Sequence, residues 1–103
     1  MRTVQMDVPW TGEESPRLAR LTRHWKARLE DFEPGGPQVL LADQERGQVL
    51  AAFPEHDTDR LRARLERRGV RARQEGETLR FFLTPEMLFE DLDYAWGCLN
   101  EIY

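Results

Sequence analysis

Gly69-Val-Arg-Ala-Arg-Gln-Glu-Gly-Glu-Thr-Leu-Arg-Phe-Phe-Leu-Thr-Pro-Glu-Met-Leu-Phe-Glu-Asp-Leu-Asp-Tyr94 is the stretch whose reading decides the fold. It predicts a strand over 70–74, a tight turn at Glu75-Gly76, a second strand over 78–83 and then an amphipathic helix. In the second strand Leu79, Phe81 and Leu83 share one face while Arg80 and Phe82 share the other, because side chains alternate along a strand. Thr84-Pro85 reads as the helix start: a hydroxyl able to accept an orphan backbone N–H, then a proline whose φ is already helical. Beyond it, Leu88, Leu92, Ala95, Leu99 and Ile102 make one apolar stripe, and Phe89, Trp96 and Tyr103, seven residues apart, make a second row beside it.

The segments upstream follow the same logic. Gln38 to Ala42 and Gln48 to Phe53 are strand-like runs separated by Asp43-Gln-Glu-Arg-Gly47, whose glycine can take positive φ, so a first hairpin is expected. Pro54-Glu-His-Asp-Thr58 leads into a helix capped near Asp57 or Thr58, with Leu61 and Leu65 four apart and Gly69 as its left-handed stop. Ser15-Pro16 opens an earlier helix whose Leu18, Leu21, Trp25, Leu29 and Phe32 fall on one stripe. Glu33-Pro-Gly-Gly-Pro37 ends that helix and is the best internal linker candidate. Residues 1–14 read as an N-terminal arm, in which the alternation of Val4, Met6, Val8 and Trp10 allows a short strand. Residues 15–103 then form a single α+β domain of order α-β-β-α-β-β-α. Its architecture is a two-layer sandwich, with helices packed on an antiparallel sheet made from two hairpins. The width of the apolar surface on the last helix has two explanations: the first helix packs on the aromatic row, or a partner does.

Composition narrows the function classes. A chain of 103 residues, 40% hydrophobic and 33% charged, is one domain with one core and too apolar for intrinsic disorder. No run approaches the roughly 18 apolar residues of a membrane span, and Met1 to Trp10 lacks the apolar centre of a signal peptide. One cysteine, Cys98, excludes a disulfide framework and a Cys-rich metal site, so a reducing, cytoplasmic setting is expected. The net charge of −4 argues against a nucleic-acid partner. Arg60, Arg62, Arg64, Arg67, Arg68, Arg71 and Arg73 nevertheless crowd one segment, either as a solvated surface or as a basic face for an anionic partner.

The residues with chemistry in them are few. Lys26, the only lysine, sits among Arg23, His24 and Trp25 on the polar side of the first helix and reads as solvated. His24 and His56 lack the close spacing of a helical metal site. Glu55, His56 and Asp57 are sequence neighbours, which rarely converge on one ligand. Cys98, beside Trp96 and Leu99 and without a cationic neighbour in sequence, reads as a packing residue. No Ser-His-Asp or Cys-His arrangement can be assigned, so no catalytic residue and no metal ligand is expected.

The run Gly69-Val-x-Ala-Arg-x-x-Gly-x-Thr-Leu-Arg-Phe81, followed by Thr84-Pro-Glu86 and Glu90-Asp-Leu-Asp93, resembles the end of pyridoxal-phosphate aminotransferases of the aspartate-aminotransferase fold type. There it closes the small C-terminal domain, and the similarity extends over roughly 47–103. The resemblance implies a fold and one site residue. In Leu79-Arg80-Phe81, Arg80 stands where the family's arginine grips the substrate α-carboxylate, a task that suits a planar guanidinium; a solvent-facing strand arginine is the other reading. The family's large domain, which carries the cofactor lysine and phosphate-binding loop, has no counterpart in this sequence, so no cofactor is expected and activity on its own is not. Three roles follow from the resemblance: a stand-alone interaction or self-associating module using the row Phe89, Trp96 and Tyr103; half of a split enzyme, docked on a separate pyridoxal-phosphate-binding protein; or an amino- or keto-acid-binding regulatory module acting through Arg80.

Overall fold

The computed structural model describes residues 2–32 and 35–103. The linker candidate at 33–37 therefore lies partly outside the described residues. Its elements are β1 (Val4–Met6), α1 (Pro16–Glu30), β2 (Gln38–Asp43), β3 (Gln48–Ala52), α2 (Thr58–Arg67), β4 (Val70–Glu75), β5 (Thr78–Phe82) and α3 (Phe89–Ile102). The five strands form one sheet in the order β1-β4-β5-β3-β2. The two expected hairpins are present and join through an antiparallel β3–β5 pair, so four neighbouring strands are antiparallel. The departure lies at the edge, where β1 runs parallel to β4 with Val4 beside Val70 and Met6 beside Ala72. The sheet is therefore mixed. Val4 and Met6 are buried, whereas Val8 is exposed, so the alternation read in the first residues ends at Met6.

Local chemistry explains the helix ends. Ser15 caps α1, its hydroxyl accepting from the Leu18 N–H, with Pro16 in the first turn. Asp57 caps α2 by accepting from the Asp59 and Arg60 N–H groups. Gly69 then leaves the helix at φ +85°, and its carbonyl accepts from the Val4 N–H at 2.7 Å, tying β1 to the start of β4. The third helix departs from the expectation. It begins at Phe89, four residues after Pro85, and in the segment before it the carbonyls of Pro85 (2.9 Å) and Met87 (2.6 Å) accept from Arg17 on α1. The start falls instead at Leu88, whose N–H donates to the Asp91 carboxylate at 2.9 Å. Leu88 consequently leaves the predicted stripe and stands exposed.

All three helices pack on one face of the sheet, where Val4, Met6, Val49, Ala51, Val70, Ala72, Leu79 and Phe81 meet Leu18, Leu21, Trp25, Leu29, Leu61, Leu65, Leu92, Leu99 and Ile102. Trp25 sits edge-on to Phe81 at 5.1 Å in the middle of this layer. Gly47 permits a close approach: a Cβ there would lie 2.6 Å from a Leu18 methyl and 2.8 Å from the Leu83 carbonyl. Among the described residues, no helix is long and apolar enough to cross a membrane.

Candidate functional site

Helices on one side leave the other side of the sheet helix-free among the described residues, and the strand register states what this bare face presents. Leu41 is paired with Leu50, Leu50 with Arg80 and Arg80 with Arg73, so these four side chains form one row across β2, β3, β5 and β4. A neighbouring row runs from Gln48 to Phe82, and Arg71 stands two residues before Arg73 on the same face. Leu40, at a register shift in β2, is 56% exposed and Leu41 is 45% exposed. The face is thus apolar toward the β2 edge and cationic toward β4.

Arg80 lies at the border. Its Nε and Nη2 donate to the two oxygens of Glu75 at 2.7 and 3.2 Å, and its Nη1 donates to the Gln48 Oε1 at 3.1 Å. The guanidinium is therefore engaged along two edges. The hydrogen bond from Arg80, with the charges of Arg80 and Arg73, holds the Glu75 carboxyl below its ordinary value. Arg73, directly opposite Arg80, avoids a bare like-charge pair by stacking over Phe82 at 4.8 Å. Phe82 is buried on this otherwise open face.

The aromatic row of α3 occupies a different place. Phe89 meets the His24 ring at 5.1 Å and lies beneath the Arg17 guanidinium, Trp96 lies under Arg28 at 4.8 Å, and Tyr103 packs on Phe32 at 5.0 Å and His56 at 4.1 Å. Phe89 and Trp96 are thus spent on α1, whereas Tyr103 stays 38% exposed. Between Phe89 and Trp96, Asp93 accepts from Arg28 at 3.0 Å and lies 2.8 Å from the His24 Nε2. The contact with His24, then that with Arg28, lowers the Asp93 pKa. Sequence reading missed this cluster. The signal was there, since His24 and Arg28 are four apart on α1, and Asp93 falls at helical spacing between Phe89 and Trp96.

The other candidates separate. Lys26 is a surface pair with Glu30 at 2.9 Å, and the residues present do not make a pyridoxal-phosphate site around it. His56 and Asp57, with Asp59, Gln74 and Glu77, line an open cleft of about 580 Å³ at the start of α2. Among the described residues, no group of three His, Cys, Asp or Glu side chains is arranged to hold a metal. Cys98 is buried. The arginine run is divided: Arg60, Arg64 and Arg67 are exposed on α2, Arg62 pairs with Glu66, Arg68 with Glu101, and Arg71 and Arg73 belong to the bare sheet face.

No family model and no curated protein matches the sequence. Solved structures do match the fold. The X-ray structure of a NifS-like protein from Rickettsia africae is similar over 84% of this chain, with a TM-score of 0.73 and 12% identity. A second NifS-like protein is similar over 84% of the chain, with a TM-score of 0.71 and 15% identity. The chain spans 28% and 27% of the length of those two proteins, so what is shared is the fold of one small portion of a larger protein.

Proposed function

We propose that this chain is a small-domain-type module that works by docking a second polypeptide on its bare sheet face. The observation that carries this reading is the one-sided layering: three helices cover one face, and the other presents Leu40 and Leu41 to solvent beside Arg71, Arg73 and Arg80. Exposed leucines at a sheet edge are costly to leave uncovered, since the edge also presents unpaired backbone groups. Among the described residues the adjacent guanidiniums outnumber Glu75, the carboxylate that pairs with Arg80, so the complementary partner presents apolar side chains flanked by carboxylates. The aromatic row Phe89, Trp96 and Tyr103 serves as the seat of α1 and is not the docking surface in this reading.

The test compares two double-checked surfaces. Leu40→Glu/Leu41→Glu places carboxylates on the bare face, and Leu88→Glu alters an exposed leucine elsewhere. Capture from the native cell followed by measurement of affinity for the purified partner is expected to show binding lost in the first variant and kept in the second. Equal binding by both would refute the face, and concentration-dependent sedimentation of the pure chain would assign the occupant to a second copy.

A specific observation favours one identity for that partner. The matched NifS-like proteins carry this fold as little more than a quarter of their length. With the sequence resemblance to aminotransferase small domains, this supports a cofactor-bearing large domain as the second polypeptide. Its presence among the captured proteins, with pyridoxal phosphate absorbance, would distinguish it from an unrelated acidic partner.

A further inference from the structure

We propose that Glu75 is a resident carboxylate that keeps the Arg80 guanidinium closed to carboxylates from solution. Three features of the sheet put it there. The turn falls at Gly76-Glu77, so Glu75 is the last residue of β4 and sits opposite Thr78. Arg80, two residues further along β5 on the same face, is then its diagonal neighbour, a separation that long side chains span. The Thr78 hydroxyl donates to the Glu75 carbonyl at 2.6 Å and pins the backbone of this corner.

The geometry of the contact is that of a ligand complex. Both Glu75 oxygens meet the Nε and Nη2 edge of the guanidinium, the paired arrangement in which arginine binds a free carboxylate. Gln48 takes Nη1 from the neighbouring strand and fixes the plane of the group. A carboxylate arriving from solution finds the paired edge filled and meets the negative charge of Glu75. The occupant is replaceable: the Glu75 side chain is 39% exposed and that of Arg80 20%, so the corner opens without disturbing the core. This inference concerns the Arg80 corner alone and stands whether or not the leucine face docks a partner.

Glu75→Ala opens the fork, and Gln48→Ala is the control, because it removes the Nη1 contact and leaves Glu75 in place. Arg80 is followed through its Nε–H resonance while potassium succinate is titrated, with matched potassium chloride as the ionic-strength reference. Unchanged backbone spectra outside the β4–β5 turn show that each variant is folded. The expected result is a saturable, several-fold larger succinate response at Arg80 in Glu75→Ala than in the wild type or Gln48→Ala. An equal response in the wild type and Glu75→Ala would overturn the proposal. So would the absence of any response in Glu75→Ala, or the same gain from Gln48→Ala.

Discussion

The two faces of the sheet are built from the same strands and obey different rules. On the covered face β1, β3, β4 and β5 contribute aliphatic or aromatic side chains that are almost fully buried, β2 adds the partly buried Val39 and Ala42, and the helices supply the complementary stripe. On the bare face polar contacts hold the side chains instead: Arg73 lies over Phe82, Arg80 is clasped by Glu75 and Gln48, and the leucines near β2 are left to solvent. The contrast separates what folds the chain from what it has to offer another molecule. Burial on one face supplies cohesion, while the other face retains exposed apolar area and fixed charge.

The largest expected effect comes from the covered face. Trp25→Ala removes a ring that is 1% exposed and stacked edge-on against Phe81; it should destabilise the domain by about 3–5 kcal/mol, read by urea unfolding. Phe82→Ala sharpens the comparison, because Phe82 is a buried aromatic ring on the helix-free face, with Arg73 stacked over it. A loss of about 2 kcal/mol is expected, and a loss as large as that of Trp25→Ala would mean that the second face also contributes a core.

Asp93 tests the seam between α1 and α3. Its pKa is lowered from 3.8 in the folded chain. The stabilisation is therefore present above that value and disappears as the pH falls below it. Melting temperatures measured downward from neutral pH should fall less steeply through this acid range in Asp93→Asn than in the wild type. The difference should be modest, since the side chain is 44% exposed. The smallest effect belongs to the β2 edge: Leu41→Ser should change stability by no more than about 0.5 kcal/mol in the isolated chain. A larger loss would place Leu41 in a packed layer and erase the distinction between the faces.

Much of the covered face was legible because its signals are local. Ser15-Pro16, Asp57 and Gly69 act within one turn of their helices, and the alternation Leu79, Phe81 and Leu83 names the buried side of β5 directly. What escaped the sequence depends on distant residues. The segment before α3 is held by Arg17, 68 residues before Pro85, whose carbonyl accepts from it. The parallel pairing of β1 rests on a bond from Val4 to Gly69. Arg80 was singled out from Leu79-Arg80-Phe81, yet its partner depends on a one-residue choice of turn. With Glu75 placed in the turn its pairing is hidden; with Glu75 ending β4, the diagonal to Arg80 follows. The sequence left two covers open for the aromatic row, and in the structure Phe89 and Trp96 meet side chains of α1, whereas Tyr103 packs on Phe32 and His56 and stays 38% exposed.

The most direct test of the one-sided architecture is methyl NMR of the isolated chain with a soluble paramagnetic agent that broadens only solvent-facing signals. The account predicts strong broadening for the methyls of Leu40 and Leu41, with those of Leu18, Leu79 and Leu99 preserved. Leu40 and Leu41 methyls as protected as that of Leu79 would show the second face to be covered and would contradict it.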